Sequence, residues 1–205
     1  MKAVSPSVEA LKARFSSAVI RHQVSCGDTI VYVASGREHE ILNWLRDDPG
    51  QRFDYLTDIT AVEYRDLERP LQVVWQLRSL ARRADLRVKV ELDKAGPLEV
   101  ASVYDLWKGA DWLEREAYDM FGVTFVGHPD LRRLLMWETY AEGFPLRKDF
   151  PLRGHFSRAE QTRQALAANP EAHYSLTELS IAAAYDELPA DMKDRLAHGE
   201  RGKVE

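Results

Sequence analysis

The sequence has very little cysteine, with Cys26 as the single one in 205 residues. Iron–sulfur clusters are held by about four cysteine thiolates, and structural zinc sites commonly use several. The chain therefore cannot bind a cluster by itself, and it cannot form an internal disulfide bond. A chain without disulfides fits a reducing compartment.

Long apolar runs are also absent. No stretch of about 18 apolar residues occurs, so we expect no membrane span. The first residues contain no apolar segment typical of a secretory signal, and Glu9 is atypical of a mitochondrial transit peptide. We therefore expect an intracellular chain, of bacterial cytoplasmic rather than mitochondrial origin. The net charge of −5 argues against general attraction to nucleic acid or anionic lipid.

The hydrophobic content of 45% is enough to build a core. Apolar periodicity predicts helices over residues 6–23 and 38–46, and β-branched or alternating segments predict strands over 29–34, 53–64, 71–80 and 86–93. Together these elements predict a two-layer α+β domain over residues 1–125, in which helices cover a mixed or antiparallel sheet.

A further helix is predicted to end at Gly122, the residue type that favours a left-handed helix terminus. Its core-facing stripe has helical spacing and consists of Leu106, Ala110, Leu113, Ala117 and Phe121. Ser102 is a plausible cap ahead of this helix. On its surface, Glu114 is expected to meet Tyr118, and Arg115 to form an exposed i, i+4 pair with Asp119.

Prolines dominate the next segment and predict an extended arm over residues 126–154. They stand at Pro129, Pro145 and Pro151. Leu146, Phe150 and Leu152 alternate there with charges, so we expect the arm to need an apolar partner surface. Residues 155–205 are acidic, with short helical pieces predicted at 158–168 and 176–185, and we expect this tail to order on a partner.

Several residues in this region have a catalytic or metal-binding interpretation. Glu114 and Glu116 lie about 200° apart on a helix, so they cannot converge on one substrate as an acid–base pair. His128 and Asp130 are potential metal ligands, although a hydrogen bond that braces the loop is the simpler interpretation.

Basic pairs in the arm have a nucleic-acid interpretation, because aromatic residues lie among them. The pairs are Arg132 with Arg133 and Arg147 with Lys148, and the aromatic residues include Trp137, Tyr140, Phe144 and Phe150. The acidic remainder of the chain argues against this hypothesis.

Specific motifs point to a known family. Glu114-Arg115-Glu116 is followed by Asp119-Met120-Phe121, by GHPDLRRLL with His128 and Arg132, and by PLRKDFPL. FDYLTDITAVEY and DLWKGADW precede them. The whole pattern, over about residues 30 to 153, resembles the C subunit of respiratory NADH:quinone oxidoreductase, complex I.

The resemblance implies a non-catalytic component of the hydrophilic arm of complex I, which passes electrons from NADH through flavin and iron–sulfur clusters to quinone and couples this to proton translocation. It implies no cofactor in this chain, a place beside the large hydrogenase-like D subunit near the quinone site with the B and I subunits nearby, and a peripheral location on the cytoplasmic face of the bacterial inner membrane. The alternatives are a scaffold component of a membrane-bound hydrogenase or formate hydrogenlyase, and, more remotely, a nucleic-acid-binding module.

The residues expected to dock the partner or to carry the motif share a charged or aromatic side chain in or next to the arm. They are Glu114, Arg115, Glu116, Asp119, His128, Arg132, Arg133, Arg147, Lys148, Asp149 and Phe150.

Overall fold

A computed structural model describes residues 5–64 and 70–168. The helices are α1 (Pro6–Phe15), α2 (Glu38–Asp47), α3 (Ala110–Phe121) and α4 (Arg158–Ala168), with a 3-10 turn at Ser16–Ala18. The strands are β1 (Val19–Ser25), β2 (Asp28–Val33), β3 (Tyr55–Val62), β4 (Leu71–Ser79), β5 (Ala84–Leu92), β6 (Glu99–Ala101) and β7 (Thr124–Val126).

The main sheet has the order β1-β2-β5-β4-β3. β3, β4 and β5 form an antiparallel meander, β1 and β2 form a hairpin, and β2 runs parallel to β5. The sheet is therefore mixed, and the predicted α+β class is confirmed.

Alternation along the strands separates two faces of this sheet. One face supplies Val73, Trp75 and Val88 to a core cluster that also contains Leu11 of α1 and Ile41 of α2. We call the other face, which carries Tyr32, Gln72, Val74 and Lys89, the outer face. The core thus lies between the sheet and the helices.

The helix predicted over residues 6–23 is wrong in its second half. α1 ends at Phe15, Ser16 has a positive φ of 23°, and Val19–Ser25 is strand β1. Val19 fits the helical spacing of α1 only by chance, since in the structure it belongs to β1 and pairs with Val33 of β2. Pairing with a distant strand overrides the local periodicity.

The start predicted for the helix before Gly122 is also wrong, because it is too early. α3 begins at Ala110, since the N–H groups of Leu106 and Trp107 are bonded to the carbonyl of Val103 in a separate turn. A short parallel sheet that the sequence did not predict, β6 with β7, joins the segments before and after α3.

The described residues up to His155 form one compact unit, and residues 156–168 belong to a second. α4 at Arg158–Ala168 confirms the predicted short helix, whereas the piece predicted at 176–185 lies outside the described residues. The predicted boundaries at 125 and 154 stay predictions. Of the helices in the described part of the chain, none combines the length and apolar character that crossing a bilayer requires.

The predicted end of α3 is confirmed. Gly122 has a φ of 76°, and its N–H donates to the carbonyl of Tyr118. The Phe144 ring lies so close that a Cβ at position 122 would stand 2.5 Å from it. Gly122 therefore serves both the left-handed turn and the contact with the arm.

Replacing Gly122 by Ala should destabilise the fold by more than about 1 kcal/mol, because it adds a clash with Phe144 to the cost of a left-handed Ala. Gly109→Ala is the matched control, since nothing lies within 4 Å of a Cβ there. Urea unfolding of both variants measures the difference. Equal midpoints for the two would contradict this account of the helix end.

Candidate functional site

Three charged side chains of α3 are buried rather than solvated. Glu114 and Asp119 are 0% exposed and Arg115 is 7% exposed, whereas Glu116 faces solvent. A buried charge is costly unless it is paired or hydrogen-bonded. The contacts of these three residues therefore determine what packs around α3.

Asp119 binds the backbone of the arm. Its Oδ2 accepts hydrogen bonds from the N–H groups of Leu134, Leu135 and Met136 at 3.0, 2.7 and 2.8 Å. Burial alone raises the pKa of this carboxyl, but the bonds from these amides and from Arg133 hold the pKa below its usual range. The carboxylate is thus ionised, and both of its oxygens accept hydrogen bonds.

Arg133 completes this contact from the arm. Its Nη1 lies 2.5 Å from Asp119 Oδ1, and its Nη2 donates to the carbonyl of Gly143 at 3.1 Å. The guanidinium carbon lies 5.1 Å from the Tyr140 ring centre and 5.4 Å from that of Phe144. Arg133 is therefore an internal brace of the arm, with its charge turned towards α3.

Arg115 does not pair with Asp119, so the predicted exposed i, i+4 contact is wrong. Its Nε and Nη2 donate to the carbonyls of Arg132 and Arg133, each at 3.2 Å. The arm covers the side of α3 that the sequence pattern assigned to solvent. The two neighbouring charges therefore bind two parts of the arm backbone instead of each other.

Glu114 likewise does not bond Tyr118. Its carboxyl accepts hydrogen bonds from Ser102 Oγ at 2.6 Å and from the N–H of Val103 at 2.7 Å. Ser102 Oγ also accepts the N–H of Tyr104 at 3.2 Å in the turn before α3, but it does not cap α3 as predicted, because that helix begins after Gly109. Burial raises the pKa of Glu114 to about 7, against the bonds from Ser102 and Val103. Glu114 therefore joins α3 to the segment that follows β6.

His128 is buried at the start of the arm. Its Nδ1 accepts a hydrogen bond from the N–H of Asp130 at 3.0 Å, as the loop-bracing interpretation predicted. This bond leaves the ring proton on Nε2, which lies 3.2 Å from Asp111 and 4.0 Å from Glu114. His128 thus packs against the acidic side of α3.

Glu63 is a site residue that sequence analysis missed. It is 7% exposed, lies 3.3 Å from Lys94 Nζ, and accepts the N–H of Lys148 at 2.7 Å. This bond fastens the PLRKDFPL stretch to the end of β3. No local signal distinguishes Glu63 from a solvated acid, because its partner lies 85 residues away.

Other predicted residues remain at the surface. The guanidinium group of Arg132 pairs with the nearby acids Asp130 and Glu138, and the side chains of Lys148 and Asp149 are exposed. Arg147 Nε lies 3.6 Å from Asp149, and it is buried without a hydrogen-bond partner in the part of the chain that the structure describes.

Phe150 is half-buried and lines a groove of about 390 Å³, whose other lining residues are Glu142, Gly143, Phe144, Arg147, Asp149 and His155. Apolar side chains also project outward from the arm. Leu135 is 61% exposed, Leu146 49% and Leu152 fully exposed. The backbone of the arm is thus fastened to the domain, while part of its apolar surface is uncovered.

These features define the class of protein: an α+β domain whose charged helix α3 holds the backbone of an extended arm. Residues 31–156 match the family model described as "Respiratory-chain NADH dehydrogenase, 30 Kd subunit". The chain belongs to this family, and the resemblance seen in its motifs is confirmed.

Similar proteins agree with this assignment. The chain is 43% identical over 139 residues to the NADH-quinone oxidoreductase C subunit of Maricaulis maris, covering 68% of each chain. It is 43% identical over 148 residues to that of Citrifermentans bemidjiense, covering 72% of this chain and 89% of the relative.

Solved structures share the fold. The trypsin-resistant fragment (1–134) of Nqo5 matches with a TM-score of 0.51 and 27% identity over 61% of this chain and 98% of the fragment. A chain of an archaeal membrane-bound sulfane sulfur reductase matches with a TM-score of 0.58 over 78% of this chain and 91% of its own, and at 20% identity it shows the fold alone.

Asp119→Asn should release the arm from α3, because it leaves Arg133 without its charge partner and weakens the acceptor of three amides. We expect a loss of about 2 to 5 kcal/mol in unfolding free energy. The backbone amides of residues 134–136 should exchange hydrogen faster in the Asp119 variant than in the parent. The control Glu116→Gln, which changes an exposed acid of the same helix, should leave their exchange rates unchanged. Unaltered protection in the Asp119 variant would contradict the assigned role.

Glu114 should make stability depend on pH. Because its folded-state pKa is raised from 4.5 to about 7, its contribution is complete below pH 4.5 and is lost as the pH rises through about 7. Glu114→Gln removes this titration, so the variant should gain stability relative to the parent between pH 5 and pH 8. Urea unfolding of the parent and the variant at pH 5 and at pH 8 measures this gain. If the two proteins differ by the same unfolding free energy at both pH values, Glu114 does not have the assigned pKa.

Proposed function

We propose that the chain works as the C subunit of NADH-quinone oxidoreductase, in a structural and assembly role that involves no redox group of its own. Its family membership and the names of its relatives support this role. Flavin, iron–sulfur clusters and quinone chemistry then belong to the other components of the complex, and this chain contributes their positioning. The assembled enzyme lies on the cytoplasmic face of the bacterial membrane.

The arm is the part that docks on the D subunit, with the B and I subunits nearby. The observation that carries this proposal is the contrast within the arm between a fastened backbone and uncovered apolar side chains. Asp119, Arg115 and Glu63 hold the backbone through its own amides and carbonyls. The arm is therefore ordered before docking, which lowers the entropy cost of binding.

The exposed leucines supply the apolar contacts of this interface. Leu152 is fully exposed and Leu146 is 49% exposed in the chain alone. Burying one such side chain contributes about 1.5 to 3 kcal/mol. The two leucines flank Arg147 and Asp149, so the interface has apolar contacts with charges between them.

Arg147 supplies a polar anchor. Its Nε is buried without a hydrogen-bond acceptor among the described residues, although Asp149 lies 3.6 Å away. Such a donor is costly in the free chain, and a rotation of this side chain, which is 21% exposed, would bring it to an acceptor of a partner. The D subunit would supply that acceptor at the groove lined by Phe150.

Leu152→Ser should weaken assembly by about 10- to 100-fold, since it removes one apolar contact. The amount of the D subunit recovered with the chain from solubilised membranes at several detergent and salt concentrations measures this. The control is Leu80→Ser, which changes a leucine that is 63% exposed in the turn after β4. Both variants should unfold at the same urea concentration as the parent.

Three results would overturn the proposed role. One is equal recovery of the D subunit with both leucine variants. Another is recovery of the chain with a nickel-bearing large subunit instead, which would assign it to a hydrogenase complex. The last is salt-sensitive binding of the purified chain to nucleic acid.

A further inference from the structure

The outer face of the main sheet carries a buried lysine that has no acid partner among the described residues. Lys89 of β5 is only 8% exposed, and its neighbours across the sheet are Tyr32 on β2 and Val74 on β4. Lysine is seldom buried unless it is paired. The Nζ of Lys89 lies 5.7 Å from the Tyr32 ring centre and bonds to Gln72, but neither of these contacts supplies a negative charge.

The other cations on this face have acids of their own. Arg21 lies 2.6 Å from Glu91, and Arg87 lies 2.9 Å from Asp28. Lys89 Nζ instead donates to the neutral Oε1 of Gln72 at 3.0 Å, and no carboxylate of the described residues lies within 4.0 Å of it. An ammonium group has three donors, so most of its capacity is left over.

The surroundings of Lys89 disfavour its charge. Burial, and then the neighbouring guanidinium groups of Arg87 and Arg21, lower the pKa of this lysine, and the smaller opposing effect of Glu91 does not offset them. An anion placed beside Nζ would offset this cost. The electrostatics and the unused donors thus indicate the same kind of ligand.

A groove gives access to Lys89. It has a volume of about 360 Å³ and lies over β3, β4 and β5. Its lining combines two cations, two threonines, an amide, two valines and one acid: Lys89, Arg87, Thr57, Thr60, Gln76, Val62, Val74 and Asp58. Hydrogen-bond donors and apolar walls therefore meet at one end of the buried lysine.

We propose that this groove docks a carboxylate side chain on an extended segment of a neighbouring protein in the complex, with the carboxylate on Lys89. The inference rests on the proposed function, because it takes the neighbour to be part of the same complex. It concerns a surface separate from the arm, since the groove is lined by strand residues 57–89 alone.

The charges on the outer face favour a single carboxylate over a polyanion. Asp58 lines the groove itself, and Asp28 and Glu91 occupy the same face. A nucleic acid or an anionic membrane would bring several negative charges against these acids and against a net charge of −5. One acid flanked by apolar side chains fits both Lys89 and the two valines.

Photocrosslinking in the assembled complex tests this proposal. A photoreactive amino acid in place of Thr60 should crosslink one other protein of the complex within a few residues of an Asp or Glu, as identified by mass spectrometry of the crosslinked peptide. Lys89→Met should lower the crosslink yield about tenfold, because it removes the charge that the segment binds. The control Lys108→Met should leave the yield unchanged, although it likewise removes a lysine beside a tyrosine ring: Nζ lies 3.8 Å from the ring centre of Tyr104 for Lys108 and 5.7 Å from that of Tyr32 for Lys89.

Lys89→Arg separates charge from packing. It keeps the positive charge, so the yield should return to at least half of the parent value, and urea unfolding verifies that each variant is folded. The proposal is wrong if the crosslinked segment has no acid, or if the crosslink forms within this chain, to a second copy of it or to lipid. It is also wrong if Lys89→Met and the parent give equal yields. If the chain with Lys89 intact gives no such crosslink while the D subunit is still recovered with it, this inference alone is wrong. If the D subunit is not recovered at all, the proposed function is wrong.

Discussion

The contact between Asp119 and the arm backbone is the interaction on which the rest of the site depends. A single buried carboxylate oxygen accepts three successive amide N–H groups, and the other oxygen binds Arg133. This arrangement satisfies the charge without water and fixes the direction in which the arm leaves the domain. Arg115 adds the complementary contact by donating to two carbonyls just before that point. The arm is therefore held by opposite charges acting on opposite ends of neighbouring peptide groups.

Helix α3 shows how a motif of charged residues can be structural. Its Glu-Arg-Glu triplet looks like a solvated surface or an acid–base pair, but only Glu116 faces solvent. Glu114 and Arg115 point to two different segments, one before the helix and one after it. The helix therefore joins β6, β7 and the arm, and its charges determine the geometry of the chain around it.

Much of the fold could be predicted from the sequence because the signals are local. β3, β4 and β5 alternate or carry β-branched residues, and Gly122 marks the end of α3. The predictions are wrong where contacts with residues far away in the sequence determine the local structure or the burial of a side chain. Val19–Ser25 is a strand because β2 lies beside it, and Arg115 is buried because the arm covers it. Glu63 and Lys89 look like ordinary surface charges in the sequence, since their burial depends on elements far away in the chain.

The short parallel pair of β6 and β7 bears on the order in which the molecule acquires its shape. Both strands lie within Glu99–Val126 and enclose α3, so this unit closes over a short loop of chain. The five-stranded sheet instead needs partners from β1 to β5, including the non-sequential pairing of β2 with β5. Because synthesis proceeds from the N-terminus and the main sheet is complete at Leu92, that sheet emerges first, and the unit around α3 closes afterwards over its short loop, just before the arm that it holds.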